Sequence, residues 1–256
     1  MPDVLPHSDH GIADDRPPVV LLHGFAGDAL GWTNVQLALS RRRLTVAFDL
    51  PGHGRALDWP EVGHAGLSAK AVAASLDALG LRRVHLVGHS MGGAVASLIA
   101  LRSPERIASL TLVAPGGFGA EIAHRTLRAF AIARSEAEIA PLLDQFFGFD
   151  RPPSRRMAGQ IAESRKESRR SEVLAAVAEA ILDGTRQKTV DRAALGDLDA
   201  PVKVIWGRQD RILPVHQADG LPGVVAVHRF DGVGHMPHLE AHREVARLIA
   251  DQIRGD

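Results

Sequence analysis

Six short apolar runs set the strongest limit on how this chain folds: VVLL (19–22), LTVAF (44–48), VHLV (84–87), LTLV (110–113), VKVIW (202–206) and VVAVHRF (224–230). Most are apolar throughout instead of alternating, which suits strands covered on both faces in a parallel sheet. Helix-like stretches lie between them or after them, at 30–40, 68–79, 91–102 and 238–253. Alternation of this kind predicts a doubly wound α/β sheet, whose ligands bind outside the carboxyl ends of the strands.

The rhythm fails between Gly116 and about Asp197. No strand is expected there, and AEIAHRTLRAFAIA, EAEIAPLLDQFF, SRRMAGQIAESRKESRR and SEVLAAVAEAILDG read as successive amphipathic helices parted by Pro and Gly. Residues 116–197 are therefore expected to form a helical cap, inserted into a core made of 17–115 and 198–256, with 1–16 a short N-terminal segment. Long insertions at the ligand end of a sheet are often lids; the alternative is a helical subdomain with no bearing on activity.

With 256 residues, 45% of them apolar, the chain can bury a sizeable core as one elaborated domain. Thirty basic residues balance thirty acidic ones, so no global field favours nucleic acid or an anionic membrane, and a small-molecule partner is expected. The oligomeric state is left open. The absence of cysteine excludes disulfides, thiolate nucleophiles and Cys-ligated metals. The N-terminus, with acids and prolines, does not read as a signal peptide, and no segment is apolar enough to span a bilayer, so the expected location is cytoplasmic.

The chemistry is written at Gly88-His89-Ser90-Met91-Gly92, a G-x-S-x-G between a predicted strand and a predicted helix. Such a turn is tight, so Gly88, Gly92 and Gly93 stand where side chains would collide with backbone, and Ser90 is lifted to the ligand end of the sheet. A phosphate loop would need a lysine near its end, and none is there. A serine hydroxyl is a weak nucleophile and needs a base held by an acid. In the chain order serine, acid, histidine, the candidates are Asp210, after VKVIW, and His235, after VVAVHRF. His238 is the competing base and Asp231 the competing acid; Asp199 falls before its strand, at the wrong end. Two N–H donors are also required for a developing oxyanion, and these are assigned to Phe25, in the glycine-bearing loop HGFAG, and to Met91. His23, Asp49 and His53 are expected to brace loops and not to react.

In this order and spacing LLHGFAG, DLPGHGRA, GHSMGG, WGRQDRILP and GVGHMPH resemble the α/β-hydrolase superfamily, from about Pro17 to the C-terminus. More narrowly, LTLVAPGGFGAEI, VIWGRQDRILP and GVGHMPHLE resemble the hydrolase-like C-terminal domain of the dihydrolipoamide acetyltransferase component of acetoin dehydrogenase complexes. The resemblance implies Ser90 as nucleophile, His235 as base, Asp210 as its orienter, and Phe25 and Met91 as oxyanion donors. Serine at 90 speaks against the dehalogenases and epoxide hydrolases of this fold, whose nucleophile is aspartate. Met236, where carbon–carbon bond hydrolases commonly carry tryptophan, speaks against that class.

Two departures are expected to matter. Family members usually begin with a hairpin, and the residues before Pro17 do not alternate, so the N-terminal sheet edge is expected to be reduced. No lipoyl domain precedes the resemblance, so lipoyl-dependent acetyl transfer is not expected of this chain alone.

The implied reaction is two-step acyl transfer on a small ester, thioester or related acyl substrate, with no metal and no cofactor. The alternatives are an acyltransferase using the same residues and a non-catalytic scaffold of the same fold. Gly24, Phe118, Phe130, Phe146, Ile212 and Met236 are the expected substrate-binding residues, with Phe147 also facing the pocket from the cap. The basic stretch 155–170 would suit a substrate carboxylate or a phosphate-bearing cofactor such as coenzyme A. Glu163 and Glu167 are spaced to pair with its cations, which favours a solvated helix face.

Overall fold

The computed structural model describes residues 4–166 and 168–255. Its centre is a seven-stranded sheet built from β1 (His7–His10), β2 (Val19–Leu22), β3 (Thr45–Phe48), β4 (Val84–His89), β5 (Ile107–Val113), β8 (Val202–Gly207) and β9 (Ala226–Phe230), in spatial order β1-β3-β2-β4-β5-β8-β9. All neighbours pair in parallel except β1, which runs antiparallel to β3 with His7 opposite Phe48.

Every residue of β2, β3, β4 and β5 is buried, as runs without alternation require. Successive side chains feed two different cores. Val19, Leu21, Ala47, Val87, Val113 and Ile205 point toward α1 (Thr33–Leu39) and α9 (His242–Gln252). Val20, Leu22, Val46, Phe48, Leu86 and Leu112 point the other way, toward α2 (Ala65–Ala78) and α3 (Met91–Arg102).

Several expectations are corrected. The N-terminal edge is reduced as expected, to the one four-residue strand β1, but HSDH was not expected as a strand; it forms one because a strand at an edge needs backbone partners more than an apolar pattern. The helix expected from residue 68 begins at Ala65, because the His64 ring nitrogen Nδ1 accepts the Gly66 N–H at 3.1 Å and caps it. The final helix is two, α8 (Pro237–Glu240) and α9, broken at Ala241.

Among the described residues, the stretch between β5 and β8 holds four helices, α4 (His124–Ile132), α5 (Glu136–Asp144), α6 (Met157–Ser164) and α7 (Ser168–Ile181). It also holds strands where none was expected: β6 (Leu182–Asp183) pairs with β7 (Arg186–Gln187) around Gly184, whose φ is +63°. The two-residue loop is Gly184-Thr185, with glycine at the position of positive φ. The basic stretch is not uniformly a solvated face. Lys166 pairs with Glu163 at 2.6 Å, and Glu167 lies outside the described residues. Arg165 is only 2% exposed, with Nη1 donating to the Phe130 and Ala133 carbonyls and its guanidinium 4.5 Å from the centre of the Phe130 ring. No helix among the described residues is long and apolar enough to cross a membrane.

Candidate active site

Ser90 sits between β4 and α3 with φ 51° and ψ −118°, a conformation that a non-glycine residue holds only under constraint. The constraint is visible. The Ser90 N–H donates to the Val113 carbonyl at 3.0 Å, and the Ser90 carbonyl accepts from Gly93, Ala94 and Gly116 at 2.8 to 3.2 Å. A Cβ on Gly88 would strike the Gly92 main chain, and one on Gly92 would strike the carbonyls of Leu22 and His23, so the elbow closes only without side chains at both positions.

The structure brings Ser90, Asp210 and His235 together from three separate strand ends. His235 Nδ1–H donates to Asp210 Oδ2 at 2.8 Å, and His235 Nε2 accepts from the Ser90 hydroxyl at 3.0 Å. Side-chain exposure is 2% for His235 and none for Asp210. The carboxylate is fully engaged by donors. Its Oδ1 accepts the N–H groups of Ile212 and Leu213 at 2.9 Å each, and its Oδ2 also accepts the Trp206 indole N–H at 3.0 Å. A ring of donors of this kind suits an anion whose task is to orient an imidazole and balance its charge.

Neither competitor is hydrogen-bonded to Ser90 or His235, although His238 borders the same cavity. Asp231 is 90% exposed on its side chain and pairs with Arg208 at 2.9 Å. His238 is buried, stacked between Trp32 (4.6 Å between ring centres) and His89 (4.3 Å), and burial lowers its pKa to about 3.

The loop residues brace as their positions suggested. His23 Nδ1–H donates to the Gly24 carbonyl at 2.7 Å while Nε2 accepts the Leu50 N–H at 2.9 Å; burial holds the ring below its ordinary pKa, so it stays neutral. Asp49 accepts from the Ala29 N–H at 2.8 Å and from the Arg55 side chain at 2.7 Å. His53 donates from Nδ1 to the Pro51 carbonyl at 3.0 Å.

Above Ser90 lies a cavity of about 210 Å³, whose walls include Gly24, Phe25, Met91, Phe130, Phe146, Ile212 and Met236. Gly24 passes so close to the elbow that a Cβ there would stand 3.0 Å from the Ser90 Cβ. Phe118 is corrected. It is not on the cavity wall but buried in the core, because its side chain packs toward the Trp206 ring, 6.2 Å away between ring centres. Phe147 is likewise buried off the cavity. Of the basic stretch 155–170, Met157 and Ile161 reach the cavity and no arginine does.

Two residues beside the reacting groups escaped the sequence reading. His89 donates from Nε2 to the main-chain carbonyl of His235 at 2.8 Å, and burial, with the neighbouring histidine rings, pushes it well below its ordinary pKa and keeps it neutral. Trp206 steadies the acid. His89 had no local signal, since a partner 146 residues away leaves no trace in a short motif, whereas Trp206 lies only four residues from its acid and its spacing could have been read.

A family model described as alpha/beta hydrolase fold matches residues 17–242. The acetyltransferase component of the acetoin cleaving system of Pseudomonas putida is 36% identical over 238 residues, covering 93% of this chain; the chain spans 63% of that relative's length. A 2-hydroxy-6-oxo-2,4-heptadienoate hydrolase, also from Pseudomonas putida, is 32% identical over 253 residues, covering 93% of this chain and 90% of its own. Among solved structures, a meta-cleavage product hydrolase of Pseudomonas fluorescens superposes with a TM-score of 0.84 at 22% identity, covering 97% of this chain and 93% of its own, a likeness of fold.

Proposed function

The chain belongs to the α/β-hydrolase fold family, and from that premise we propose that it is a serine hydrolase cleaving a small ester, thioester or related acyl substrate through an acyl-enzyme intermediate. The observation that carries this reading is the unbroken line from Asp210 Oδ2 through the His235 ring to Ser90 Oγ, in steps of 2.8 and 3.0 Å, opening on an apolar cavity.

In this reading His235 Nε2 takes the hydroxyl proton as Ser90 Oγ attacks the substrate carbonyl carbon, and Asp210 steadies the imidazolium that forms. Negative charge gathers on the carbonyl oxygen and is met by the N–H groups of Phe25 and Met91, each worth on the order of 3 kcal/mol in the transition state. The imidazolium then protonates the leaving group, whose bond to the acyl carbon breaks. Water, deprotonated by His235, adds to the acyl carbon, the bond from that carbon to Ser90 Oγ breaks, and His235 returns the proton to Oγ as the acid leaves. The helices between β5 and β8 act as a cap over the acyl group.

The cavity walls favour an uncharged acyl group over a dienoate. Among the described residues the one lysine or arginine lining the cavity is Lys188, which is exposed, so no buried cation waits for a substrate carboxylate. The identity to an acetyltransferase component supports a second reading, transfer of the acyl group to a thiol or alcohol in place of water.

A fluorophosphonate probe separates an enzyme from a scaffold. It should label the wild-type protein and leave Ser90→Ala unlabelled; equal labelling of both would end the nucleophile assignment. Adding a thiol acceptor and measuring the ratio of transferred to hydrolysed product separates transferase from hydrolase.

A further inference from the structure

The base loop, residues 231–236, has no regular secondary structure of its own, yet an imidazole serving as general base must stay within a fraction of an ångström of its place. Its backbone is instead held from outside. The Glu240 carboxylate, at the end of α8, accepts the Gly234 N–H (2.9 Å to Oε2) and the Met236 N–H (3.0 Å to Oε1), the residues on either side of His235. Oε2 also accepts the Gly148 N–H at 2.8 Å, from the segment between α5 and α6. Next to this, the His235 N–H donates to the Phe146 carbonyl at 2.8 Å. A Cβ on Gly234 would strike the main chain of Phe147 and Gly148, so the two segments meet backbone to backbone.

We infer that Glu240 is a positioning residue for His235, one carboxylate clamping both neighbours of the base and tying them to the inserted segment at Gly148. The inference rests on the hydrolase reading for its kinetic consequence, and on geometry alone for the clamp. An ionised carboxylate has the lone pairs to accept all three N–H groups, and its bonds are charge-assisted. Glutamine has the same shape but turns a donor toward one of the two sets, so it satisfies half the clamp; alanine satisfies none. The group is half-buried, and loss of water raises its carboxyl above the ordinary range, against the pull of the N–H groups.

The test compares wild type, Glu240→Gln and Glu240→Ala on p-nitrophenyl acetate and with the fluorophosphonate probe. kcat and the labelling rate should fall about ten-fold for glutamine and about 10²-fold for alanine, with KM within two-fold; the melting temperature should fall for alanine, whose three N–H groups lose their acceptor, and less for glutamine. Wild-type kcat in the alanine variant, or a fall carried by KM alone, overturns the inference. Amide hydrogen exchange on the wild-type protein decides the case if the variants do not fold. Gly148, Gly234 and Met236 should be protected to a similar degree, and exchange of Gly234 or Met236 at the rate of an unstructured chain overturns the clamp. Failure of the wild-type protein to label would instead overturn the hydrolase reading and leave the exchange result to judge the clamp.

Discussion

The sheet and the insertion between β5 and β8 are held together in different ways. In the sheet the inner strands β3, β2, β4, β5 and β8 are fixed by ladder bonds on both sides and by side chains buried above and below, so their geometry is specified many times over. The insertion adds apolar side chains of its own to the core, among them Phe118, Leu127, Ile139 and Phe147, and its loops are pinned by long polar side chains reaching main-chain groups. Arg165 gathers the end of α4, and Gln187 donates to the Glu121 carbonyl while accepting the Gly117 N–H. Arg211, from the acid loop, donates to the Phe147 carbonyl. The ladder-bonded frame thus carries the candidate catalytic residues, while an element with no ladder to the main sheet shapes the space above them. Substitutions in the two regions should fail differently.

The sharpest division is at Ser90. Ser90→Ala should lower kcat by on the order of 10⁵-fold or more without lowering the melting temperature; an active variant would remove the chemistry from the frame altogether.

Two phenylalanines then separate frame from cavity. Phe118→Ala, beneath the insertion and against Trp206, should cost about 3–5 kcal/mol in denaturant unfolding with KM unchanged. Phe130→Ala, on the cavity wall, should raise KM for an apolar ester about ten-fold; the reverse pattern would break the comparison.

Acid reaches the frame first, through its buried neutral histidines. His53 and His238 have pKa values lowered by burial to about 3, whereas unfolding returns them to about 6.5. Between those limits the unfolded chain binds protons that the folded one refuses, so stability is lost as pH falls. From pH 7.5 to 5.5 the two groups together should remove about 3 kcal/mol, read as a lower urea midpoint; an unmoved midpoint would show that they are not held neutral.

The smallest effect should come from the insertion. Arg165→Met should speed exchange of α4 amides about ten-fold, equivalent to about 1.4 kcal/mol of local opening, while strand amides stay as they were. Equal acceleration in β4 and β5 would mean that the insertion opens only with the whole molecule.

Much of this was legible without coordinates. Apolar runs without alternation marked the buried parallel strands, and β-strand periodicity needs only local residues to be read. The elbow was equally plain, because glycine at 88 and 92 answers a steric demand made within one turn. What escaped had polar partners that no apolar pattern marks, some close in the chain and some far along it. HSDH became a strand because the edge of β3 was free, and His64 became a helix cap because its ring fell over the Gly66 N–H. Phe118 was misplaced because amphipathic spacing tells that a residue is buried and not against what. Glu240 looked like any helix-end acid.

The order of residues alone determined that a parallel sheet would form, that a serine would stand strained at its carboxyl edge, and that an acid and a histidine would follow on later strand ends. Those are consequences of local sterics and of burial, which act over a few residues. Packing decided which of thirteen histidines meets that serine, which phenylalanines line the cavity, and that one carboxylate clamps the base loop. The reason is distance along the chain. Ser90 and His235 are 145 residues apart, and separations of a few ångströms between such groups are fixed only when the strands that carry them are locked in one sheet.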